Sequence, residues 1–528
     1  VSSRTPHDSP DQGGNRRLQT DRPAGPGTPA LLAVLALLLC CAALALHVWH
    51  FDYTVDDAYI TFRYARNLAT GYGPVFNPGE KVEGYTNPLW TAFMALCFKV
   101  GAPLEIAAAV AGTASAALLL IALFRFLRRR IVSRSLALLA PLALALHGSF
   151  ALWAGAGLET ALFTLLLFHG VALSLRERIT RRTCTAMAAL FVAATLTRPE
   201  GALLFGVVLL SWLMRREMHL PERIRTALPG LALFVGSMIL LEAWRLVYYG
   251  DWLPNTFHAK VGADSQTFVR GVHYLAGFLG EGAGWPFVLP AVALLFLRPD
   301  RWARRVLVFA ACYMTYVLAV GGDGLPFYRF MVPLLPWIVA LAAHSLDRLL
   351  QRRSPASRRL ALAGGLILLV PLHASFGGST FRFIEQDRIR VDFQWTTIGR
   401  WLAEHARPGD SVAVHVVGAI PYFAGLPTID MLGMTDRHIA RRSMPEMGRG
   451  IAGHEKHDIS YVLSRRPTYL LHHPFLMSQP VMLREHFITP WNPGLRELLD
   501  NDEFHRLYRK ASVKIGAYYL TYFELRDP

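Results

Sequence analysis

ALLAVLALLLCCAALALHVWHFDYTVDDAYITFRYARNLATGYGPVFNPGEKVEGYTNPLW, residues 30–90, sets a long apolar run directly against two adjacent carboxylates, Asp56 and Asp57. Residues 30–49 are long enough to cross a bilayer as a helix. Unpaired carboxylates beside hydrocarbon are costly. An acid pair at the mouth of such a helix is therefore either solvated at the interface or kept for chemistry on a substrate that arrives through the lipid.

Outward from this stretch, the 528 residues are 53% hydrophobic with a mean hydropathy of +0.30, and apolar runs recur as far as residue 377 and then stop. This pattern predicts a polytopic α-helical membrane protein of about 11 transmembrane helices, embedded in a lipid bilayer, with a C-terminal α/β domain outside it. The expected spans are 30–49, 103–124, 135–150, 158–175, 184–197, 201–214, 227–248, 285–297, 306–320, 328–346 and 360–377. Residues 1–29 read as a disordered tail, 30–377 as the transmembrane domain with a first outer loop at 50–102, and 378–528 as the extracytoplasmic domain. Val1 in place of Met points to a fragment or to an alternative start codon read literally. The first apolar run, with Ala43-Leu44-Ala45 as its cleavage-like site, is expected to be an uncleaved anchor because of its length and the spans that follow.

Lys and Arg set the orientation, since positive loops stay cytoplasmic. The stretches 1–29, 125–134, 176–182, 215–225, 298–305 and 348–359 carry 26 of the 54 basic residues, whereas 50–102, 151–157, 198–200, 249–284 and 321–329 carry 8. The N-terminus is therefore expected on the cytoplasmic side and the C-terminal domain on the outer side. The net charge of +16 follows from this topology and calls for no nucleic-acid partner. The parity requires that Pro88 to Val100, at about a dozen residues, lie in the interface rather than cross. Cys40, Cys41, Cys97, Cys184 and Cys312 sit in or beside apolar segments, so neither a disulfide framework nor a zinc cluster is expected.

Almost every unusual polar cluster falls on the outer side of this topology. Ala58, Phe62, Ala65 and Ala69 recur at helical spacing, which puts Asp56 and Asp57 at the start of an amphipathic helix along the membrane. Thr54-x-x-Asp57 also resembles a capping box, and a cap needs one carboxylate where this loop supplies two. Turn residues around Val75-Phe76 and Lys81-Val82 suggest a small β-hairpin with solvated Glu80 and Glu83. The remaining outer turns hold Glu159; Arg198 with Glu200; Asn255, Thr256, His258 and Lys260; and Asp323 with Arg329 after a glycine-rich turn. Within the spans, Glu242 and Arg245 are expected to pair, and His169 reads as a satisfied buried histidine. A glycosyl transfer needs a carboxylate, Asp56 or Asp57, to take the acceptor's proton or hold developing positive charge, and cations such as Lys260, Arg329 and Arg198 where a leaving phosphate gains charge.

GLET (157–160), TRPEG (197–201), PNTFHAK (254–260), GGDGLPFYRF (321–330) and GAIPYFAGLPTIDMLGMTDRHIAR (418–441), together with the acid pair and its loop, resemble successive motifs of the integral-membrane GT-C glycosyltransferases. The likeness runs over about residues 50–470, and the motifs resemble those of one branch, which includes the terminal β-(1→2)-arabinofuranosyltransferases. The resemblance implies a bacterial inner membrane and a periplasmic C-terminal domain. It implies a polyprenyl-phosphate-linked sugar donor and a cell-envelope glycan or glycolipid acceptor, with Asp56 or Asp57 as the catalytic acid of the first loop. It supports donor or phosphate binding by Arg198, Lys260 and Arg329 and an acceptor-holding outer domain, for which Asp436, Arg437 and His438 are the candidates. From their clustering alone, Asn255 and His258 are further donor-site candidates, and Glu159, Glu200 and Asp323 are substrate-binding candidates beside the structural readings of a helix-start acid and an Arg198–Glu200 pair. No organic cofactor is implied. A divalent metal is used by some members, and Asp56 and Asp57 would be its ligands. The branch implies arabinofuranose as the sugar, less specifically than it implies the class; the choice between retention and inversion stays open.

In the tail, Trp395–Ala406, Gly418–Ala424 and Asp458–Arg466 read as helices and Ser411–Val417, Thr428–Asp430 and Thr468–Leu471 as strands; His454 and His457 read as solvated loop residues. The competing reading is a transporter or flippase of lipid-linked sugars. Transporters carry polar groups at mid-membrane and repeated halves, and neither is visible.

Overall fold

The computed structural model describes residues 28–526 apart from 216–218, 261–264, 281–283, 352, 355, 357–378, 445–446, 473 and 481–493. The apolar runs fold as helices because a backbone in hydrocarbon must satisfy its polar groups within its own segment. In chain order these are α1 (Thr28–Phe51), α2 (Asp56–Ala69), α3 (Pro88–Lys99), α4 (Leu104–Leu127), α5 (Arg134–Ala145), α6 (Gly148–Gly155), α7 (Thr160–Ser174), α8 (Arg181–Thr197), α9 (Glu200–Leu213), α10 (Leu220–Tyr249), α11 (Asn255–Lys260), α12 (Ser265–Gly280), α13 (Trp285–Ala293), α14 (Arg301–Val320) and α15 (Leu335–Leu350). A 3₁₀ turn, Arg329–Leu334, leads into α15. That helix runs through the middle of the bundle, with Trp337, Ala340 and Ser345 inaccessible.

Among the described residues, five helices are long and apolar enough to cross a membrane, or seven if each of two bent pairs counts as one span. The expected eleven spans are thus not matched one for one. α7 and α9 are apolar but only 15 and 14 residues long, about 22 Å at the α-helical rise against roughly 30 Å of hydrocarbon. The span expected at 135–150 divides into α5 and α6 with a 58° bend. The span expected at 360–377 lies outside the described residues. Pro88–Lys99 is a separate 12-residue helix, as the parity argument requires.

The C-terminal domain is α/β. Strands β1 (Val412–Val414), β2 (Thr428–Asp430) and β3 (Tyr469–Leu471) are parallel, with Val412 opposite both Thr428 and Tyr469. Each is three residues long and buried throughout, as strands covered on both faces are. β4 (Leu476–Met477), β5 (Tyr508–Ile515) and β6 (Tyr518–Leu525) extend the sheet in antiparallel sense, with β3 and β4 on one edge of β6 and β5 on the other. β5 and β6 join through Gly516 at positive φ. The helices expected in the tail form as Thr396–His405, Ala419–Ala424 and Ile459–Ser464.

The domain does not stand clear of the membrane part. Ile60, Tyr64, Phe76 and Tyr85 of the first loop share one apolar cluster with Ile398, Val412, Val414 and Ile420. Burying such surface stabilises by about 25 cal/mol per Å², which makes α2 a floor of the outer domain as well as a lid on the bundle.

Candidate active site

α2 is built as a docking platform. Its apolar residues Ala58, Phe62 and Ala65 are fully buried against the bundle. Its polar ones reach the other way, to the short helix Ala419–Ala424. The Asp56 carboxylate accepts from the amides of Gly418 (3.0 Å) and Ala419 (2.8 Å), so it caps that helix from outside. Arg63, 2% exposed, donates to the carbonyls of Phe76 (2.8 Å), Pro421 (2.7 Å) and Leu426 (2.7 Å) and to the side-chain oxygens of Asn77 and Thr428. Arg66 donates to the Tyr422 carbonyl at 2.8 Å. An acid therefore meets the N-terminus of the helix and two cations meet its C-terminal carbonyls, matching the polarity of its backbone.

This geometry separates the two acids. Both oxygens of Asp56 are engaged. Burial pushes its carboxyl up to about 7, with the two amides pulling the other way and Asp57 adding repulsion. Asp57, one residue on, is half-buried and faces a different set of neighbours. The capping box expected from Thr54 does not form: Val55 occupies the cap position, with no side-chain cap bond.

A circuit of contacts runs from the start of α2 round to His454, which reaches Asp57 electrostatically. The amide of Val55 donates to Ala156 (3.2 Å), and Gly157, at φ +89°, lies against Ala58 and Thr54 where any Cβ would clash. Glu159 accepts from Asn87 at 2.7 Å and pairs with Arg198 at 3.6 Å, while Glu200 takes the Arg198 Nε. Arg198 stacks over the Phe330 ring at 4.8 Å. Its neighbour Arg329 is bidentate on Asp323 at 2.6 and 3.1 Å and lies over Trp153. The turn holding Asp323 packs through Gly324 on Ala452, and Gly453 packs on the Lys260 stem. His454 completes the circuit within electrostatic reach of both Lys260 and Asp57. Burial lowers its pKa, Asp57 opposes that, and Lys260 reinforces it.

Glu159, Arg198, Glu200, Asp323 and Arg329 are thus brought together as one buried charge network, in which each arginine is already bonded to acid. Lys260 makes no ion pair among the described residues. Asn255 is held apart from the circuit: its amide donates to the carbonyls of Gly433, Met434 and Asp436 and clamps that loop to the start of α11. His258 lies 3.8 Å from Asp251.

Asp436 and His438 belong to a second place, a cleft of about 760 Å³ also lined by Lys81, Arg437, Arg441 and Tyr461. Asp436 caps its helix at Ile439 and accepts the Tyr461 hydroxyl; His438 bonds Asp458 at 3.0 Å and stacks on Tyr461 at 4.1 Å. α11 separates this cleft from Lys260 by about 8 Å along its axis.

The first loop departs from expectation. Residues 70–87 form no hairpin, because their carbonyls bond side chains instead: Phe76 to Arg63, Val75 to Asn67 and Val82 to Tyr64. Glu83 is buried rather than solvated and pairs with Arg245 at 2.6 Å, an arginine that Glu242 also holds. Among the described residues no group of three or more His, Cys, Asp or Glu is placed to hold a metal. Each Asp56 oxygen accepts one amide and keeps a second lone pair, so the donor set of the acid pair still suits a divalent cation.

The arrangement of these helices and outer domain is that of the GT-C membrane enzymes. ArnT from Cupriavidus metallidurans, bound to undecaprenyl phosphate, superposes with a TM-score of 0.58 over 95% of this chain and 98% of its own, at 15% identity. Two curated relatives narrow the likeness. The terminal beta-(1->2)-arabinofuranosyltransferase of Mycobacterium tuberculosis is 31% identical over 269 residues, 48% of this chain and 42% of the relative. That of Corynebacterium glutamicum is 26% identical over 361 residues, 60% and 52% respectively. The chain spans about half the length of these relatives. Residues 382–522 match a family described as a domain of unknown function (DUF8728).

Proposed function

We propose that this protein is a glycosyltransferase that moves a sugar from a polyprenyl-phosphate donor to a cell-envelope glycan or glycolipid at the outer face of the inner membrane. Two observations carry the reading: Glu159, Arg198, Glu200, Asp323 and Arg329 form one buried charge network, and His454 lies within electrostatic reach of both Lys260 and the Asp57 carboxylate. The relatives' name makes arabinofuranose the sugar to test first, and the ArnT neighbour, with undecaprenyl phosphate bound, supports a lipid-linked donor. The transporter reading draws no support from any of them.

In this mechanism Asp57 takes the proton of the acceptor hydroxyl as that oxygen bonds to the anomeric carbon. The bond from that carbon to the phosphate oxygen breaks, and polyprenyl phosphate leaves. Lys260 faces the growing phosphate charge, which a fixed cation stabilises in a water-poor site. His454, kept neutral by burial, offers a ring nitrogen beside it. Arg198 and Arg329 form the floor, holding Glu159, Glu200 and Asp323 to the donor's sugar. The cleft at Asp436 and His438 receives the acceptor chain. No step passes through a metal.

Transfer assays with decaprenyl-phosphoryl-arabinofuranose and other polyprenyl-phosphate sugars test this reading. Asp57→Asn is expected to lower kcat by about 10²–10⁴ with thermal stability intact. Asp56→Asn is expected to lower stability first, since an amide oxygen replaces a carboxylate that holds two N–H groups. Wild-type turnover by Asp57→Asn would end the assignment.

A further inference from the structure

On the face opposite the acid pair lies a second cavity, of about 1150 Å³, between the C-terminal ends of α4 and α7, the middle of α8 and the start of α14. Seven arginines line it against two acids, Glu177 and Asp300. Asp300 is already held by His344 (3.1 Å) and Arg348 (3.3 Å). Arg215 is likewise engaged, on the carbonyls of Ser174 and Arg176, and Arg130 lies 3.8 Å over the Phe126 ring. Arg125, Arg129 and Arg176 are exposed.

Beneath this basic rim the lining is hydrocarbon. Phe126 meets Phe168 and Trp302 edge-on at 5.7 and 5.4 Å, and Leu118, Ile121, Leu165 and Leu190 continue the wall. From Leu118 to Arg125 is about 10 Å along the helix, the depth at which acyl chains meet a headgroup. His169, expected to be a buried and satisfied histidine, is satisfied by the Leu165 carbonyl at 3.0 Å but exposed within this wall. A soluble anion would need the rim and leave the aromatic floor bare; an apolar tail alone would leave the exposed Arg125, Arg129 and Arg176 facing no added charge. Basic pockets between transmembrane helices on the positive face suit lipid headgroups.

We infer that this cleft binds an anionic glycerophospholipid of the leaflet opposite Asp57, with its phosphate among Arg125, Arg129 and Arg176 and its acyl chains on the Phe126–Phe168 floor. The site is separate from glycosyl transfer and stands whatever the donor sugar is.

Native mass spectrometry of the full chain in detergent, titrated with phosphatidylglycerol, tests it. Each basic residue near an anionic headgroup contributes on the order of a factor of five, so Arg125→Gln/Arg129→Gln should weaken binding roughly thirtyfold. Arg128→Gln/Arg178→Gln, the same charge removed from the same face outside the cleft, should change it less than threefold. Equal loss in both pairs, phosphatidylcholine binding as tightly, or full displacement by millimolar inorganic phosphate would each overturn the site. Undecaprenyl phosphate binding that falls with the first pair while phosphatidylglycerol binding does not would overturn the glycerophospholipid as occupant.

Discussion

Gly418→Ala should loosen the outer domain from α2. A Cβ on Gly418 would stand 2.5 Å from Asp56 Cγ and 2.6 Å from its Oδ1, and closer still to the Asp56 carbonyl oxygen. Ordinary carbon contacts need about 3.5 Å, so the helix Ala419–Ala424 must retreat by about 1 Å. That retreat takes the 3.0 and 2.8 Å bonds to Asp56 beyond hydrogen-bonding range. Bonds to charged groups are worth about 1.5–3 kcal/mol each; with partial recovery through water, a loss of about 3 kcal/mol is expected. Hydrogen exchange of the 415–424 segment reads the change directly: the Gly418 and Ala419 amides should exchange faster, with a fall in melting temperature. Because the nearest atom belongs to the Asp56 backbone, Asp56→Ala should not rescue it. Gly206→Ala is the control, since nothing lies within 4 Å of its added carbon and a helical alanine stabilises by about 0.5–1 kcal/mol. Unchanged exchange and melting in Gly418→Ala would refute the docking argument.

Arg63→Lys should cost about 2–4 kcal/mol, because one ammonium cannot reach five acceptors spread around a guanidinium and buried carbonyls are left bare; melting in detergent checks it, and a neutral result would remove Arg63 from the interface. Arg245→Met should destabilise by about 3–5 kcal/mol by stranding the buried Glu83, whereas Glu83→Gln/Arg245→Met should recover most of that loss; a double variant no better than the single one would contradict the pairing. The Asp56 carboxyl, pushed up to about 7 from 3.8, makes the folded state take up a proton that the unfolded chain does not bind between about pH 4 and 7. Its contribution to stability therefore rises as pH falls through 7 and is lost above it. Subtracting an Asp56→Asn melting profile from the wild-type one between pH 5.5 and 8 should isolate a slope of that sign.

Much of the site was legible from sequence because its signals are local. Glu159, Arg198, Glu200, Asp323 and Arg329 stand in short turns between apolar runs, and charge counting puts those turns on one face; the structure brings these five together. What separates Asp56 from Asp57 is not local. It depends on two amides some 360 residues away, and no periodicity encodes that meeting. Arg63 was equally silent, since a basic residue within an amphipathic helix reads as solvated until five carbonyl and side-chain oxygens surround it. His454 looked like a loop histidine because its partners, Asp57 and Lys260, come from distant loops. The missing hairpin has the same cause: turn residues predict strands only when the backbone pairs with itself, and here Arg63, Asn67 and Tyr64 compete for its carbonyls. β5 passed unnoticed because its exposed, polar-rich alternation resembles surface loop, and β6, its more apolar and more buried partner, lost its hairpin signal with it.

The Arg63 contacts also bear on how the chain is made. Residues 56–77 leave the ribosome about 350 residues ahead of Pro421, Leu426 and Thr428, which complete the guanidinium's shell. At about 5–20 residues per second, that interval is roughly 20–70 s. Until then the first loop has only half its partners, and Arg63 must stay hydrated rather than buried. Maturation of the acid pair is therefore a late event of biogenesis, timed by folding of the last domain. A chain stalled before residue 418 would carry every membrane helix described here with its first loop still open to water.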